Sequence, residues 1–253
     1  SSDVCSSDLA DYFWPAVEQY VECTHEYWRS NGKFTPNITL RLASGGYIGG
    51  GLYHSQNLEG ALTTLPGARI VCPSFADDAA GLLRTSMRSK GFTLYLEPKA
   101  LYNSVEAAAV VPEEFEVPFG KARIRREGTD LTIITYGNTT HFCLDVAERL
   151  AREEVGSVEV IDLRSLIPLD KEAIFASVRK TGKVMVVHED KVFSGFGAEI
   201  AAQIAGEMFR YLDAPVQRVG STFTPVGFNP ILERAILPND EKIYKAAKEL
   251  LEF

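Results

Sequence analysis

Apolar residues along this chain alternate between two periods. Short, nearly continuous apolar runs predict strands at NITLRLA (37–43), ARIVCP (68–73), FTLYLEP (92–98), LTIITYG (131–137), VEVIDL (158–163), VMVVHE (184–189) and APVQRV (214–219). Between them, apolar residues return every three to four positions, the spacing of one helical face. ADYFWPAVEQYVECTHEYWRSNG (10–32) gathers Phe13, Val17, Tyr20, Val21 and Tyr27 and closes at Asn31-Gly32. Leu58, Ala61, Leu62 and Leu65 predict a second helix, ended by Pro66-Gly67. FADDAAGLLRTSMRSKG (75–91) is a third, with Asp77 and Asp78 in its first turn, where the helix dipole favours acids. TTHFCLDVAERLARE, DKEAIFASVRKTG, FGAEIAAQIAGEMFRYL and a closing helix from Asn239-Asp240 to Leu250 complete the series. Apolar strands joined by crossover helices mean parallel sheets covered on both faces. Residues 103–119 (NSVEAAAVVPEEFEVPF) break the alternation with two prolines, four glutamates and no sustained period, and read as a linker. The expected fold class is α/β, in two domains with largely parallel sheets, 10–102 and 120–253.

SSDVCSSDL (1–9) has no apolar periodicity, and VCSSDL is what a common sequencing-library adapter reads as when translated. These residues are expected to be a non-native extension outside the fold. The net charge of −8 argues against a nucleic-acid binder, whose affinity would rest on clustered Lys and Arg, and leaves room for a basic protein partner. No apolar run approaches the roughly 18 residues that a membrane span needs. The four cysteines (Cys5, Cys23, Cys72, Cys143) are scattered without a CxxC pair, which fits a reduced, cytoplasmic setting.

The densest candidate chemistry lies in SGGYIGGGLYHSQNLEG (44–60), where five glycines fall within seven positions and His54 follows. A dinucleotide fingerprint would need uninterrupted GxGxxG spacing and a longer helix, and a Walker loop would need GKS or GKT; neither is present. The glycines instead allow backbone to pass close to another backbone or a ligand, presenting Tyr53-His54-Ser55-Gln56 as a polar tip. A histidine there can serve as acid, base or anion donor, or can be a surface residue bonded to backbone. His188 sits at the C-terminal end of a strand, where parallel sheets place ligands, or forms a polar pair with Glu189. His25 falls on a solvated helix face and His141 in the first turn of a helix, neither with an evident partner. SGFG (194–197) is either an anion-holding helix start or a tight turn. No cluster has metal-ligand spacing, and no GxSxG elbow occurs.

ADYFWPAVEQ, GGYIGGGLYHSQNLEG, LPGARIVCPSFADDAAGLL, LEPKALY, GKARIRREGTDLTIITYG, EVIDLRSLIPLD and VVHEDKVFSGFGAEI occur in one order from residue 10 onward. Together they resemble the beta subunit of the thiamine-diphosphate-dependent 2-oxo acid dehydrogenase decarboxylating component, with wording nearer the branched-chain (2-oxoisovalerate) type than the pyruvate type. The resemblance implies a truncated pyrimidine-binding domain followed by a transketolase C-terminal-like domain. It implies oxidative decarboxylation of a 2-oxo acid and reductive acylation of a lipoyl group on the acyltransferase core. His54, in LYHSQ, takes the catalytic position near the cofactor's reactive carbon, and Tyr12 the cofactor-binding position beside the pyrimidine ring. Thiamine diphosphate would be shared with an alpha-type subunit, or a fused N-terminal half, that holds Mg2+. Further implied partners are a second beta-type copy and the peripheral subunit-binding domain of the dihydrolipoyl acyltransferase. The compartment would be the bacterial cytoplasm or a mitochondrial matrix.

Two departures qualify the carry-over. Leu9 stands where the family has Phe, and the glutamate that protonates the cofactor's ring nitrogen has no counterpart here, so the isolated chain is expected not to turn over 2-oxo acids. SMRSKGF (86–92) does not match the family's potassium-binding loops. Arg164, at a strand end beside a proline turn, is expected to be structural or interfacial. The competing readings are a non-catalytic dimerisation and docking module, and a transketolase or deoxyxylulose-phosphate synthase, against which LYHSQ and DLRSLIPLD count.

Overall fold

Two five-stranded sheets organise the chain, each parallel except at one edge. The computed structural model describes residues 3–253, with side chains from Leu9 onward. The first sheet has the order β1 (Asp3–Leu9), β2 (Ile38–Ser44), β4 (Phe92–Pro98), β3 (Ala68–Val71) and β8 (Ser165–Ile167). Helices α1 (Val17–Arg29), α2 (Glu59–Leu62) and α3 (Ala76–Arg88) connect its strands. The second sheet has the order β10 (Gln217–Ser221), β9 (Val184–Lys191), β6 (Leu131–Thr135), β7 (Val158–Asp162) and β5 (Arg123–Arg126). It carries α4 (Thr139–Arg152), α5 (Lys171–Thr181), α6 (Phe196–Glu207), α7 (Pro230–Ile236) and α8 (Asp240–Glu252). β6 and β7 are buried at every position, as strands covered on both faces must be. One core joins the two sheets through Leu94, Ile134, Ile161 and Val186, and a second packs α4 and α8 on the outer face of β6, β7 and β9.

The departures from periodicity have local causes. The helix expected from Ala10 is broken at Trp14-Pro15 into two 3₁₀ turns, and α-helix begins only at Val17. α2 is a single turn: Leu65 N–H already bonds back to the Leu62 carbonyl, a 3₁₀ tightening just ahead of Pro66. Of the segment 1–9, expected to lie outside the fold, Asp3–Leu9 form β1, which pairs parallel with β2 from Asp3 opposite Ile38 to Leu9 opposite Ala43, and residues 1 and 2 lie outside the described residues. Its Ser and Asp content gave no strand signal. Residues 103–119 are largely exposed, as expected of a linker, and are anchored to α3 at a few points. Val117 is buried against Gly81, and Arg84 donates to the carbonyls of Pro112 and Phe115 at 3.2 and 3.0 Å.

The two halves share elements and charges. β8 crosses from the second half to pair antiparallel with β3. Beside it, Asp78 at the start of α3 accepts from Arg164 Nη1 at 2.8 Å and from Arg125 Nη2, while Arg125 also pairs with Asp162 at 2.8 Å. Both aspartates are fully buried. Arg164 additionally donates to the carbonyls of Lys121 and Ala122, and its own backbone carbonyl accepts from Cys72 N–H at 2.9 Å. The structural reading of Arg164 is what the geometry shows.

Candidate active site

The glycine stretch forms a compact loop closed at its base, where Gly45 N–H donates to the Gln56 carbonyl at 3.0 Å. Three of its glycine amides are occupied by the chain's own carboxylates. Gly46 N–H donates to Glu189 Oε1 at 2.5 Å, Gly49 N–H to Glu233 Oε1 at 3.3 Å, and Gly60 N–H to Asp190 Oδ2 at 3.0 Å. Tyr47 Oη ties the loop to the Pro238 carbonyl at 2.6 Å. Two glycines are required by space. Gly45 has φ +85°, and a Cβ there would sit 2.6 Å from Glu189 Oε1; a Cβ on Gly60 would meet Asp190 Oδ2 at 2.7 Å and the Ser194 carbonyl at 2.8 Å. The loop therefore closes onto β9 and α7 of the second half, with carboxylates where a phosphate loop would hold phosphate.

That closure leaves Leu52, Tyr53 and His54 at an exposed tip. Tyr12, on the 3₁₀ turn Ala10–Tyr12, meets the tip: its hydroxyl shares a hydrogen bond with His54 Nε2 at 3.2 Å, and the rings stand edge to face with centroids 5.7 Å apart. The two residues singled out in the sequence, 42 positions apart, are thus in direct contact. Both remain exposed, so the pair forms an open lip rather than a closed pocket. Phe228, 75% exposed, packs against Gly51, and Phe193 and Phe223 form a further exposed aromatic pair at 4.6 Å. A cavity of about 470 Å³, lined in part by Arg41, Phe75, Tyr95 and Tyr102, shares no lining residue with the Tyr12–His54 pair.

Under the loop lies a buried acidic cluster that sequence reasoning did not single out. Glu59, at the start of α2, accepts from Asn57 Nδ2 at 3.1 Å and from Tyr136 Oη at 3.3 Å. Burial, then the neighbouring Asp190 carboxylate, pushes its pKa up to about 8. Burial also raises Glu189 to about 7, against the pull of the Gly46 amide and Lys99, and raises Asp190. The available signal was HED (188–190), three consecutive polar residues ending an otherwise apolar strand.

The other histidines separate cleanly. His188 is fully buried, stacked parallel to Tyr136 at 6.3 Å, and hemmed in by Gly195 and Gly220. Burial lowers its pKa to about 4, so it is neutral at physiological pH, and Glu189 bonds the Gly46 amide rather than His188. SGFG is a tight turn packed on His188, with Ser194 at φ +58° and Gly195 as the N-cap of α6. His141, which had no evident partner in the sequence, bonds the Ser74 carbonyl at 2.8 Å and packs on Phe75. His25 is exposed on α1. Among the described residues, no group of three or more His, Cys, Asp or Glu side chains is arranged to hold a metal ion, and no helix is long and apolar enough to cross a membrane.

Residues 120–243 match the family model for the transketolase C-terminal domain. Over 252 residues the chain is 38% identical to 2-oxoisovalerate dehydrogenase subunit beta of Bacillus subtilis (strain 168), covering 99% of this chain and 76% of that one. Over 226 residues it is 41% identical to pyruvate dehydrogenase E1 component subunit beta of Staphylococcus aureus (strain Mu50 / ATCC 700699), covering 89% and 69%. A solved split-gene transketolase, an inactive beta4 tetramer, shares the fold with a TM-score of 0.76 at 20% identity, covering 98% of this chain and 75% of that one.

Proposed function

Because the chain belongs to the family of 2-oxo acid dehydrogenase E1 beta subunits, we propose that the Tyr12–His54 pair is its half of a thiamine-diphosphate site completed by an alpha-type partner. The chain is the beta-type part of an oxidoreductase acting on 2-oxo acids, and relatives of the 2-oxoisovalerate and pyruvate types resemble it to similar degrees. The transketolase reading is not favoured, since that neighbour is alike in fold at only 20% identity. One observation carries the proposal: Tyr12 and His54 are bonded to each other on an exposed lip.

The residues present fit one end of the cofactor. Tyr12 offers a half-exposed aromatic surface beside an imidazole, which suits a ring. The amides of Gly46, Gly49 and Gly60 already serve carboxylates, so those positions do not serve a diphosphate. An alpha-type partner would hold the diphosphate and its Mg2+. When bound, thiamine diphosphate supplies the electron sink for decarboxylation. This chain's part is orientation and proton handling. Tyr12 fixes the edge of the site. When the Tyr12 hydroxyl donates to His54 Nε2, the proton of the neutral imidazole sits on Nδ1. When Nε2 carries it instead, that proton is directed at the tyrosine oxygen and the mouth of the site. His54 can therefore hold or release a proton at the lip where a 2-oxo acid and a lipoyl arm would arrive.

The exposed Tyr53 and Phe228 give a partner apolar surface to cover. A second beta-type copy and the peripheral subunit-binding domain of a dihydrolipoyl acyltransferase complete the proposed assembly, in a bacterial cytoplasm or a mitochondrial matrix. His54→Ala, assembled with the alpha-type partner, should lose about 10²- to 10⁴-fold in lipoyl acylation, the range for a positioned proton-transfer group, with the fold of this chain intact because the side chain is exposed in it. Wild-type turnover by that variant would reduce His54 to a surface residue. The purified chain alone, given cofactor and a 2-oxo acid, should show no turnover; clear activity would mean that the site is complete without a partner.

A further inference from the structure

We propose that Asp11 is a positioning residue for His54, setting the Tyr12–His54 contact through a single buried carboxylate that grips the backbone of the glycine loop. The proposal rests on the reading of His54 as the reacting residue.

Asp11 immediately precedes Tyr12, and its side chain is 2% exposed. Its Oδ1 accepts from the backbone N–H of Gln56 at 3.0 Å. Gln56 is two residues after His54, and its carbonyl accepts from Gly45 N–H, the bond that closes the loop. The backbone of Gln56 is thus held through both its N–H and its carbonyl. The spans from the Asp11–Gln56 bond to the two site residues are one residue and two residues, at most about 4 and 7 Å of chain. Such short tethers leave little freedom in how far apart Tyr12 Oη and His54 Nε2 can drift.

The carboxylate is itself held by Lys99, at the end of β4. Asp11 Oδ2 makes no hydrogen bond and faces Lys99 Nζ at 3.7 Å, and the Lys99 side chain is only 6% exposed. Lys99 Nζ also reaches the Ala43 carbonyl at 3.5 Å, two residues before the loop begins at Gly45. Burial lowers the Lys99 pKa, and Asp11 and Glu189 oppose that shift. The ammonium pairs with the Asp11 carboxylate and also feels the charge of Glu189, which holds Gly46. A buried ion pair with this much attached backbone is costly to break on one side.

The test is a double-mutant cycle in the chain assembled with its alpha-type partner, reading lipoyl acylation from a saturating 2-oxo acid. Asp11→Ala is expected to lower kcat by about 10- to 100-fold, the scale of a misplacement of about 1 Å, while KM for the 2-oxo acid changes less than about threefold. Asp11→Asn keeps an oxygen for Gln56 N–H and should regain at least about half of the lost log rate. In a His54→Ala background, Asp11→Ala should cost nothing further, because the group it positions is gone. If Asp11→Ala costs the same factor in both backgrounds, its role is purely structural and the proposal is overturned; wild-type kcat in Asp11→Ala overturns it directly. If His54→Ala alone keeps wild-type acylation, the underlying reading of His54 fails, and this proposal fails with it. Should Asp11→Ala not assemble, Asp11→Ser, small and too short to hold Gln56, enters the same cycle.

Discussion

Replacing Asp78 by alanine should cost about 3–5 kcal/mol and lower the melting temperature by on the order of 10 °C. The carboxylate is fully buried at the first turn of α3 and is the shared acceptor of Arg125 and Arg164. Neither arginine can follow it into water. Arg164 is anchored by the Lys121 and Ala122 carbonyls, and Arg125 lies over the Phe75 ring with its guanidinium 4.0 Å from the centroid and pairs with Asp162. Truncation therefore leaves two buried cations facing one remaining aspartate, and the uncompensated charge, more than the lost attraction, sets the cost. Asp78→Asn, which keeps an acceptor, should cost less. Glu114→Ala provides the contrast: it pairs with Arg88 at 3.7 Å with 81% of its side chain exposed, and its removal should stay within about 0.5 kcal/mol. Urea and thermal unfolding of the three variants check this. A loss below about 1 kcal/mol for Asp78→Ala would mean that the sheets hold together through β8 and the apolar core without this ion network.

What periodicity could show and what it could not divide along a physical line. β6, β7 and β9 were legible because a strand covered on both faces must be apolar throughout, and α3, α4 and α8 because their buried residues recur on one face. β8 has three residues and β5 reads RIRR; their pairing is fixed by where the chain crosses, which no local pattern records. α7 was missed because its seven residues expose Ile231 and Leu232 and give no buried stripe, although Asn229-Pro230 is a good cap and start. The site divides in the same way. His54 stood out at the mouth of the glycine stretch and Tyr12 only through resemblance, and nothing local could show that they touch. Their contact depends on bonds between distant positions: Asp11 to Gln56, Glu189 to Gly46, Asp190 to Gly60. The glycines advertised close approach, which is what they provide, but glycine carries no information about whether the approaching group is a phosphate or the chain's own carboxylate.

Those carboxylates make stability depend on pH in a direction opposite to ordinary acid denaturation. Glu59 is raised from its usual range to about 8, mainly by burial and next by Asp190. A group raised in the folded state contributes stability that is complete below its unfolded pKa and is lost as pH rises through the folded value. Glu189, raised to about 7, acts in the same sense over the lower part of that window. His188, depressed to about 4 by burial, acts oppositely: its contribution is present above the unfolded value near 6.5 and is lost as pH falls towards 4. Between roughly pH 4.5 and 6.5 the histidine offsets only one of the two carboxyl contributions; above that the carboxyls act alone, Glu189 fading near pH 7. From pH 6.5 to 8 the unfolding free energy should therefore fall by on the order of 1.4 kcal/mol per pH unit, most of it from the proton that the folded chain holds on Glu59 and the rest from Glu189 near pH 7. Glu59→Gln keeps an oxygen for Asn57 and Tyr136 and cannot ionise, so it should remove most of this slope and gain about 2 kcal/mol on wild type between pH 6.5 and 8. Urea titrations of both proteins at pH 6.5, 7.2 and 8.0 provide the measurement. An equal slope in Glu59→Gln would place the extra proton on another group, and a wild-type stability that rises across the window would mean that Glu59 ionises in the folded chain as easily as in water.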